Sequence, residues 1–262
     1  YMYPYSTTTA MTDSYYDGTS VSGTSYVGGL VGYYDDYYNN TYNNAVINSH
    51  YNLDTVTLTV NSTVSPYVTI GGLYDTEYTD WIANSYASLT PSDYFSQDTN
   101  GYYLISNLND LKELLAFTDD AGLSFKLTTN LDVSSLTNWH LPQFIATEFN
   151  GGGFTISNLN IDQPETTNVG FIGRLGSSSS VNDLSLSNVA VSGYQYVGGM
   201  VGRNFGDLDN VTVDSGTVEA TSIYIGGLIG YDYAGVISNA SSAVTVNQSG
   251  SYSSYTGGLV GY

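Results

Sequence analysis

Only four basic side chains, Lys112, Lys126, Arg174 and Arg203, stand among 24 acidic ones in this 262-residue chain. Clustered aspartates can hold a metal or pass a proton, and a Lys or Arg beside them can serve as base or charge clamp. These four positions are therefore where such chemistry would have to gather. Lys112 falls within a helical pattern, which leaves three candidates. The two histidines, His50 and His140, lie in segments that read as separate modules, so neither a shared metal nor a Ser, His and Asp triad is expected. Asp35 with Asp36, Asp119 with Asp120, and Asp207 with Asp209 could offer oxygen ligands to Ca²⁺, yet no EF-hand loop and no GGxGxD nonapeptide surrounds them. They read as solvated acidic turns, and no cofactor is expected. Asn39, Asn61, Asn210, Asn239 and Asn247 begin Asn-x-Ser/Thr triplets, the acceptor pattern for N-linked glycans, which a chain rich in Asn, Ser and Thr also produces by chance.

The element that must position any of these groups is a repeat. NVGFIGRL at 168, YVGGMVGR at 196, YIGGLIGY at 224 and YTGGLVGY at 255 are variants of one phrase, and a fifth copy, YVGGLVGY, starts at Tyr26. Gly170, Gly198, Gly226 and Gly257 are spaced by 28, 28 and 31 residues, a period that marks stacked structural units. Between the phrases run alternating apolar residues: Leu184, Leu186, Val189 and Val191, then Leu208, Val211 and Val213, then Val236, Ile237, Val244 and Val246. Period two means half-buried strands, about three per unit. The expected fold is all-β, a right-handed parallel β-helix with coils of about 28 residues stacked at ~4.8 Å. Gly28, Gly29, Gly170, Gly198, Gly199, Gly226, Gly227, Gly257 and Gly258 are the expected corner positions, chosen for positive φ or close approach of the next coil.

The phrase VGGLVG, followed a dozen residues later by an Asn in a run such as LDNVTV or VISNAS, resembles the GLUG repeat of large bacterial surface and secreted proteins. ISNLNDLKELLAF, FKLTTNLDV, NWHLP and FNGGGFTISNLNI are similar to the stretch that opens such a solenoid in that family. The resemblance covers Tyr102 to Tyr262 well and Tyr26 to Tyr74 moderately. It implies a capping helix, a Trp and Pro corner, export from the cell, and a surface or filament role. One departure is NVGFIG at Asn168, one residue shorter and without the leading Tyr, which suggests a different corner there.

Three segments follow from the pattern: residues 1–75 as the end of one solenoid module, 76–101 as an ordered crossover, and 102–262 as a second module with GLUG-type repeats over 168–262. The crossover is expected to carry at most a short helix near Trp81 to Tyr86. One clear helix is expected at about 107–121, with Leu108, Leu111, Leu114 and Leu115 on one face, Asn107 as N-cap and Gly122 as the stop, covering the open end of the first coil. GTSYVGGLVGY and SSYTGGLVGY recur 229 residues apart, so the chain reads as starting and stopping inside repeats. Tyr1 without a preceding signal segment reads as the start of a mature or excised piece.

A formal charge of −20 argues against nucleic acid and anionic membrane surfaces as partners. No apolar run approaches the length of a membrane span, and the absence of cysteine removes disulfides and thiolate metal sites. The chain has 27 tyrosines. Tyr196, Tyr224 and Tyr255 precede the phrase and should form one ladder, while Arg174, Arg203, Tyr231 and Tyr262 follow its closing glycine and should form another, in which guanidinium stacks on ring at the surface. The expectation is a non-catalytic, extracellular structural or adhesive β-solenoid, part of an adhesin, matrix or biofilm protein or filament, whose partners are other copies or flanking modules end to end. The alternatives are a β-helix that binds or cuts polysaccharide, with the aromatic strip as sugar platform, and a non-catalytic spacer of a secreted protease.

Overall fold

The computed structural model describes residues 11–32, 46–65, 67–250 and 255–262; Asp35, Asp36 and Asn39 lie outside them. From Tyr103 onward the chain winds as a β-solenoid whose faces are parallel ladders. One face stacks, in order, Tyr103–Ile105, Ser124–Leu127, Glu148–Asn150, Ser180–Asn182, Asp207–Asp209 and Ile237–Ser238. The next stacks Leu131–Asp132, Thr155–Ser157, Ser185–Ser187, Thr212–Val213 and Ser241–Ser242. A third joins the long strands Asn160–Val169 and Val189–Gly198 to Gly216–Ala220 with Ile225–Gly226, and these to Thr245–Gln248 with Thr256–Gly257. The fourth is Ile172–Leu175, Val201–Asn204 and Ile229–Asp232. Partners such as Val181 and Leu208, Val197 and Ile225, and Leu208 and Ile237 are 27, 28 and 29 residues apart, so one repeat makes one coil. Each coil spends its residues on four faces rather than the three uniform strands expected.

The alternation turns one residue in two inward. Leu184, Leu186, Leu208, Val211 and Val213 are fully buried, and Phe149 meets Phe144 and Phe171 edge-on inside the coils. In the last coil the same positions are only partly covered, and Val236 is exposed where a half-buried strand residue was expected. Its neighbour Ile237 takes the inward place opposite Leu208, and no further coil lies over either.

Two helices flank the first coils, and both differ from expectation. The crossover forms an α-helix at Asp75–Ala83, earlier and longer than the short helix expected at Trp81 to Tyr86. Asp75 and Glu77 in its first turn suit the helix dipole, Tyr78 and Trp81 anchor it from one face, and left-handed Ser85 and Tyr86 end it. The cap helix is Leu108–Glu113, tightening to a 3-10 turn at Leu114–Phe117 rather than running to Ala121. Asn107 caps it as expected, its Oδ1 accepting from the amides of Asn109 and Asp110 at 2.8 and 3.2 Å. It stops early because the carbonyl of Thr118 is taken by the amides of Ile145 and Ala146 in the first coil.

Residues 11–73 form short ladders of their own. Met11–Thr12 pairs with Val46–Ile47, Tyr15–Tyr16 with His50–Asn52 and then Gly72–Leu73, and Ser20–Gly23 with Thr57–Val60, which hairpins onto Thr63–Ser65. Asn48 ties this segment to both helical regions: its amide donates to Asp119 Oδ2 at 2.9 Å, its Nδ2 to the carbonyl of Tyr86 at 2.7 Å, and its Oδ1 accepts from Trp81 Nε1 at 2.7 Å.

Candidate functional site

The corner before each glycine phrase carries the chain's unusual backbone. Tyr26, Asn168, Tyr196 and Tyr224 all have φ between 54° and 64°, the left-handed region that L-residues other than Gly and Asn seldom enter. None of the phrase glycines does, so the expected positive φ belongs to the residue before them. The glycines answer to contact instead. A Cβ on Gly28, Gly198, Gly226 or Gly257 would strike the carbonyl oxygen three residues on, and one on Gly199 would lie 2.6 Å from the carbonyl oxygen of Gly227 in the next coil. Gly170 is held the same way, 2.7 Å from the carbonyl oxygen of Gly198. The shortened copy at Asn168 keeps the left-handed residue, and its missing residue is absorbed one step later, where Phe171 alone stands against Gly199 and Met200 before Ile172 rejoins register with Val201.

Because this corner aims its tyrosines outward at one register, the rings stack. Tyr196 and Tyr224 have centroids 5.2 Å apart and planes 4° apart, and Tyr224 and Tyr255 are 5.2 Å and 10°. A second column follows the closing glycine, with Tyr231 and Tyr262 stacked at 5.2 Å and 13°. The columns interlock edge to face: Tyr231 meets Tyr196 and Tyr224 at 5.5 and 5.2 Å, and Tyr262 meets Tyr224 and Tyr255 at 5.4 and 5.1 Å. Both ladders stand where the repeat placed them. Their faces look along the solenoid and are used by one another, so the flat sugar platform weighed from the sequence is not what the side of the column presents; ring edges are.

Arg174, Arg203 and Tyr231 align in register on one face, but the expected exposed guanidinium ladder is a buried one. Both arginines are 4% exposed. Arg203 lies 5.2 Å from the Tyr196 ring, 5.7 Å from Tyr231 and 5.0 Å from Phe205, and Arg174 lies 5.1 Å from Phe205 on the other side. Phe205 was missed by the sequence reading because it stands outside the phrase and occurs in one coil only. Lys112 lies 3.9 Å over the Tyr74 ring and Lys126 5.7 Å from that of Tyr102.

The aspartates proposed for Ca²⁺ serve other bonds. Asp207 Oδ1 accepts from the amide of Val236, and Asp209 Oδ1 from Ser238 Oγ and Asn239 Nδ2 at 2.6 and 2.8 Å; these last two bonds hold the Asp209 carboxyl below its ordinary range. Asp119 is pushed up to about 6 by desolvation, against the Asn48 amide bond that pulls it down. Among the described residues no group of three or more His, Cys, Asp or Glu side chains is placed to hold a metal ion. Side-chain amides also form ladders the sequence reading did not name. Asn188 donates to Asn158 Oδ1 at 2.7 Å and Asn158 to Asp132 Oδ1 at 2.9 Å, while Asn210 donates to Asp183 Oδ1 at 2.7 Å. The signal was the recurrence of Asn210 and Asn239, 29 residues apart.

His50 and His140 are both buried, and desolvation lowers each to about 4. His50 sits edge-on to Trp81 at 4.8 Å. His140 lies between modules, with Nε2 3.0 Å from the carbonyl oxygen of Val68 and Nδ1 3.3 Å from that of Gly170. A neutral ring carries one N–H, and the shorter contact takes it. A small cavity of about 70 Å³, lined by His140, Arg174, Tyr26 and Thr69 among others, adjoins this junction.

No family model matches the chain. It is 31% identical over 145 residues to halomucin from Haloquadratum walsbyi (strain DSM 16790 / HBSQ001), a match that covers 49% of this chain and 2% of that protein. Among solved structures, a Bacteroides ovatus protein described as a candidate immunoglobulin A1 protease aligns with 58% of this chain and 69% of its own, at 16% identity and a TM-score of 0.37.

Proposed function

We propose that the chain is a structural or adhesive segment of an extracellular protein, non-catalytic, with repeats of the GLUG type, and that it works by reach and by contact with other copies or flanking modules end to end. The observation that carries this reading is the pair of interlocked tyrosine columns on Tyr196, Tyr224 and Tyr255 and on Tyr231 and Tyr262. They invest the most distinctive side chains in coil-to-coil cohesion, as an axial fibre requires and a reaction does not. The likeness to a protein named as a mucin over half of this chain supports a cell-surface setting, as does a −20 charge that keeps neighbouring rods apart at low salt. Among the described residues no helix is long and apolar enough to cross a membrane.

The test is protease shaving of intact cells together with negative-stain microscopy of native material. Release of peptides from this chain and images of rods or filaments are expected. A protein that resists shaving until cells are lysed would overturn the location, and turnover of a polysaccharide by the purified chain would overturn the non-catalytic role.

A further inference from the structure

The geometry points to an N-linked glycan acceptor column at the corner that carries Asn210 and Asn239, in which only one of the two neighbours can be occupied at a time. This rests on the extracellular reading above, since such transfer acts on exported chains. Asn210-Val211-Thr212 and Asn239-Ala240-Ser241 are both acceptor triplets, and the fold sets them on consecutive coils in register. Thr212 stands opposite Ser241, with their hydroxyls 3.0 Å apart.

Both asparagines are exposed and left-handed, with φ of 52° and 49°. The middle residue of each triplet points the other way: Val211 is fully buried and Ala240 packs against the core. An outward amide, an inward apolar residue and an outward hydroxyl are therefore what this corner demands for folding, and the same pattern is what a transferase reads. The coil before it has Asp183-Leu184-Ser185 in the equivalent place, with Leu184 buried and a carboxylate that offers no acceptor nitrogen, so the column begins at Asn210.

In the transfer, Asn Nδ2 bonds to the anomeric carbon of an oligosaccharide carried on a lipid phosphate or pyrophosphate. The bond from that carbon to phosphate oxygen breaks with its electron pair on the leaving phosphate, and one amide proton passes to base. The second Nδ2 hydrogen remains, so the bonds from Asn210 to Asp183 and from Asn239 to Asp209 survive modification. Coils stack at ~4.8 Å, too close for two branched sugars side by side. Asn247, outward on Thr245–Gln248, and Asn61, exposed in its hairpin turn, have no acceptor triplet directly beside them in the ladder and act singly.

The sequence simplifies the measurement, because no Lys or Arg follows Arg203 and trypsin leaves residues 204–262 as one peptide. Protein isolated from the cells that make it is digested, and glycans are released in heavy-oxygen water to mark each modified Asn. A glycan at Asn210 or Asn239 on any one molecule, never at both, is expected. Thr212→Ala should abolish it at Asn210 and move it to Asn239, and Ser241→Ala the reverse; both hydroxyls lie on the outside, so the fold is kept. Bare asparagines at both corner positions, modification of Asn247 or Asn61 alone, or joint occupancy of Asn210 and Asn239 would each overturn the proposal. Shaving the same cells separates the two claims: bare but released peptide sinks the glycan column alone, while bare peptide from a protein inaccessible outside the cell sinks the extracellular reading with it.

Discussion

Gly199, Gly227 and Gly258 occupy one place in three successive coils, and what would meet a side chain there differs. At Gly199 and Gly227 an added Cβ meets the carbonyl of the coil above, whereas at Gly258 it meets nothing within 4 Å. Gly199→Val and Gly227→Val should each cost ~3 kcal/mol or more, because the obstructing atom is backbone and cannot turn aside. In a thermal melt this is a drop of roughly 6 °C or more for a chain of this size. Gly258→Val should leave the melt of dilute protein within about 1 °C, as expected of surface changes; equal losses at all three would show that smallness alone is being read. The tyrosines make a second pair of outcomes. Tyr224 touches Tyr196, Tyr255, Tyr231 and Tyr262, so Tyr224→Ala removes several ring pairs worth ~0.5–1.5 kcal/mol each and leaves the left-handed strain in place. Tyr196→Asn should be the milder change, since Asn168 already holds the same φ one coil earlier and Asn tolerates that region best. Denaturant titration of both variants checks the order; a costlier Tyr196→Asn would mean that the ladder, not the corner, dominates.

At the scale of elements, His140 fastens the first module to the coils, and pH tests that joint. The pKa of His50 and of His140 falls to about 4 on folding from an ordinary ~6.5, so between those values the unfolded chain binds more protons and stability rises with pH. Asp119, raised to about 6, works the other way: its folded form holds a proton longer, and stability falls as pH climbs from ~3.8 to 6. Two histidines against one aspartate leave a net gain from pH 4 to 6.5. His140→Gln should flatten that slope, read as melting temperature against pH; an unchanged slope would remove His140 from the joint. The element scale is also where the sequence reading was least complete. Strand faces and coil length were legible because apolar alternation and a 28-residue period survive in every repeat. The helix ends were not, since they depend on partners far along the chain: the Thr118 carbonyl is claimed by Ile145 and Ala146. The buried arginines were misread for a related reason. Their register was visible in the spacing, but their cover depends on Phe205, which occurs in one coil and leaves no period to find.

For the whole molecule, cohesion runs along one axis and weakens toward the last coil. Val189 and Val191 are almost fully buried between coils on both sides, whereas Thr245–Gln248 pairs only with Gly216–Ala220 among the described strands. The half of its backbone groups that faces outward is a template for another strand. Each coil adds stability chiefly through its nearest neighbours, so hydrogen exchange should form a gradient, slow at Val189 to Val191 and fastest over Thr245 to Gln248. Tyr255 and Tyr262, 51% and 56% exposed, each leave one ring face for the next ring of their column. A second copy seated there makes a heterologous contact that repeats without closing, the geometry of a filament rather than a dimer. Raising protein concentration should then protect the Thr245 to Gln248 amides, and Gly258→Val, silent in dilute protein, should abolish that protection, because the carbonyl that would arrive over Gly258 is the counterpart of those that already block Gly199 and Gly227. Exchange at Thr245 to Gln248 that stays independent of concentration, or is protected equally in the Gly258→Val chain, would rule out copy-on-copy stacking at this end.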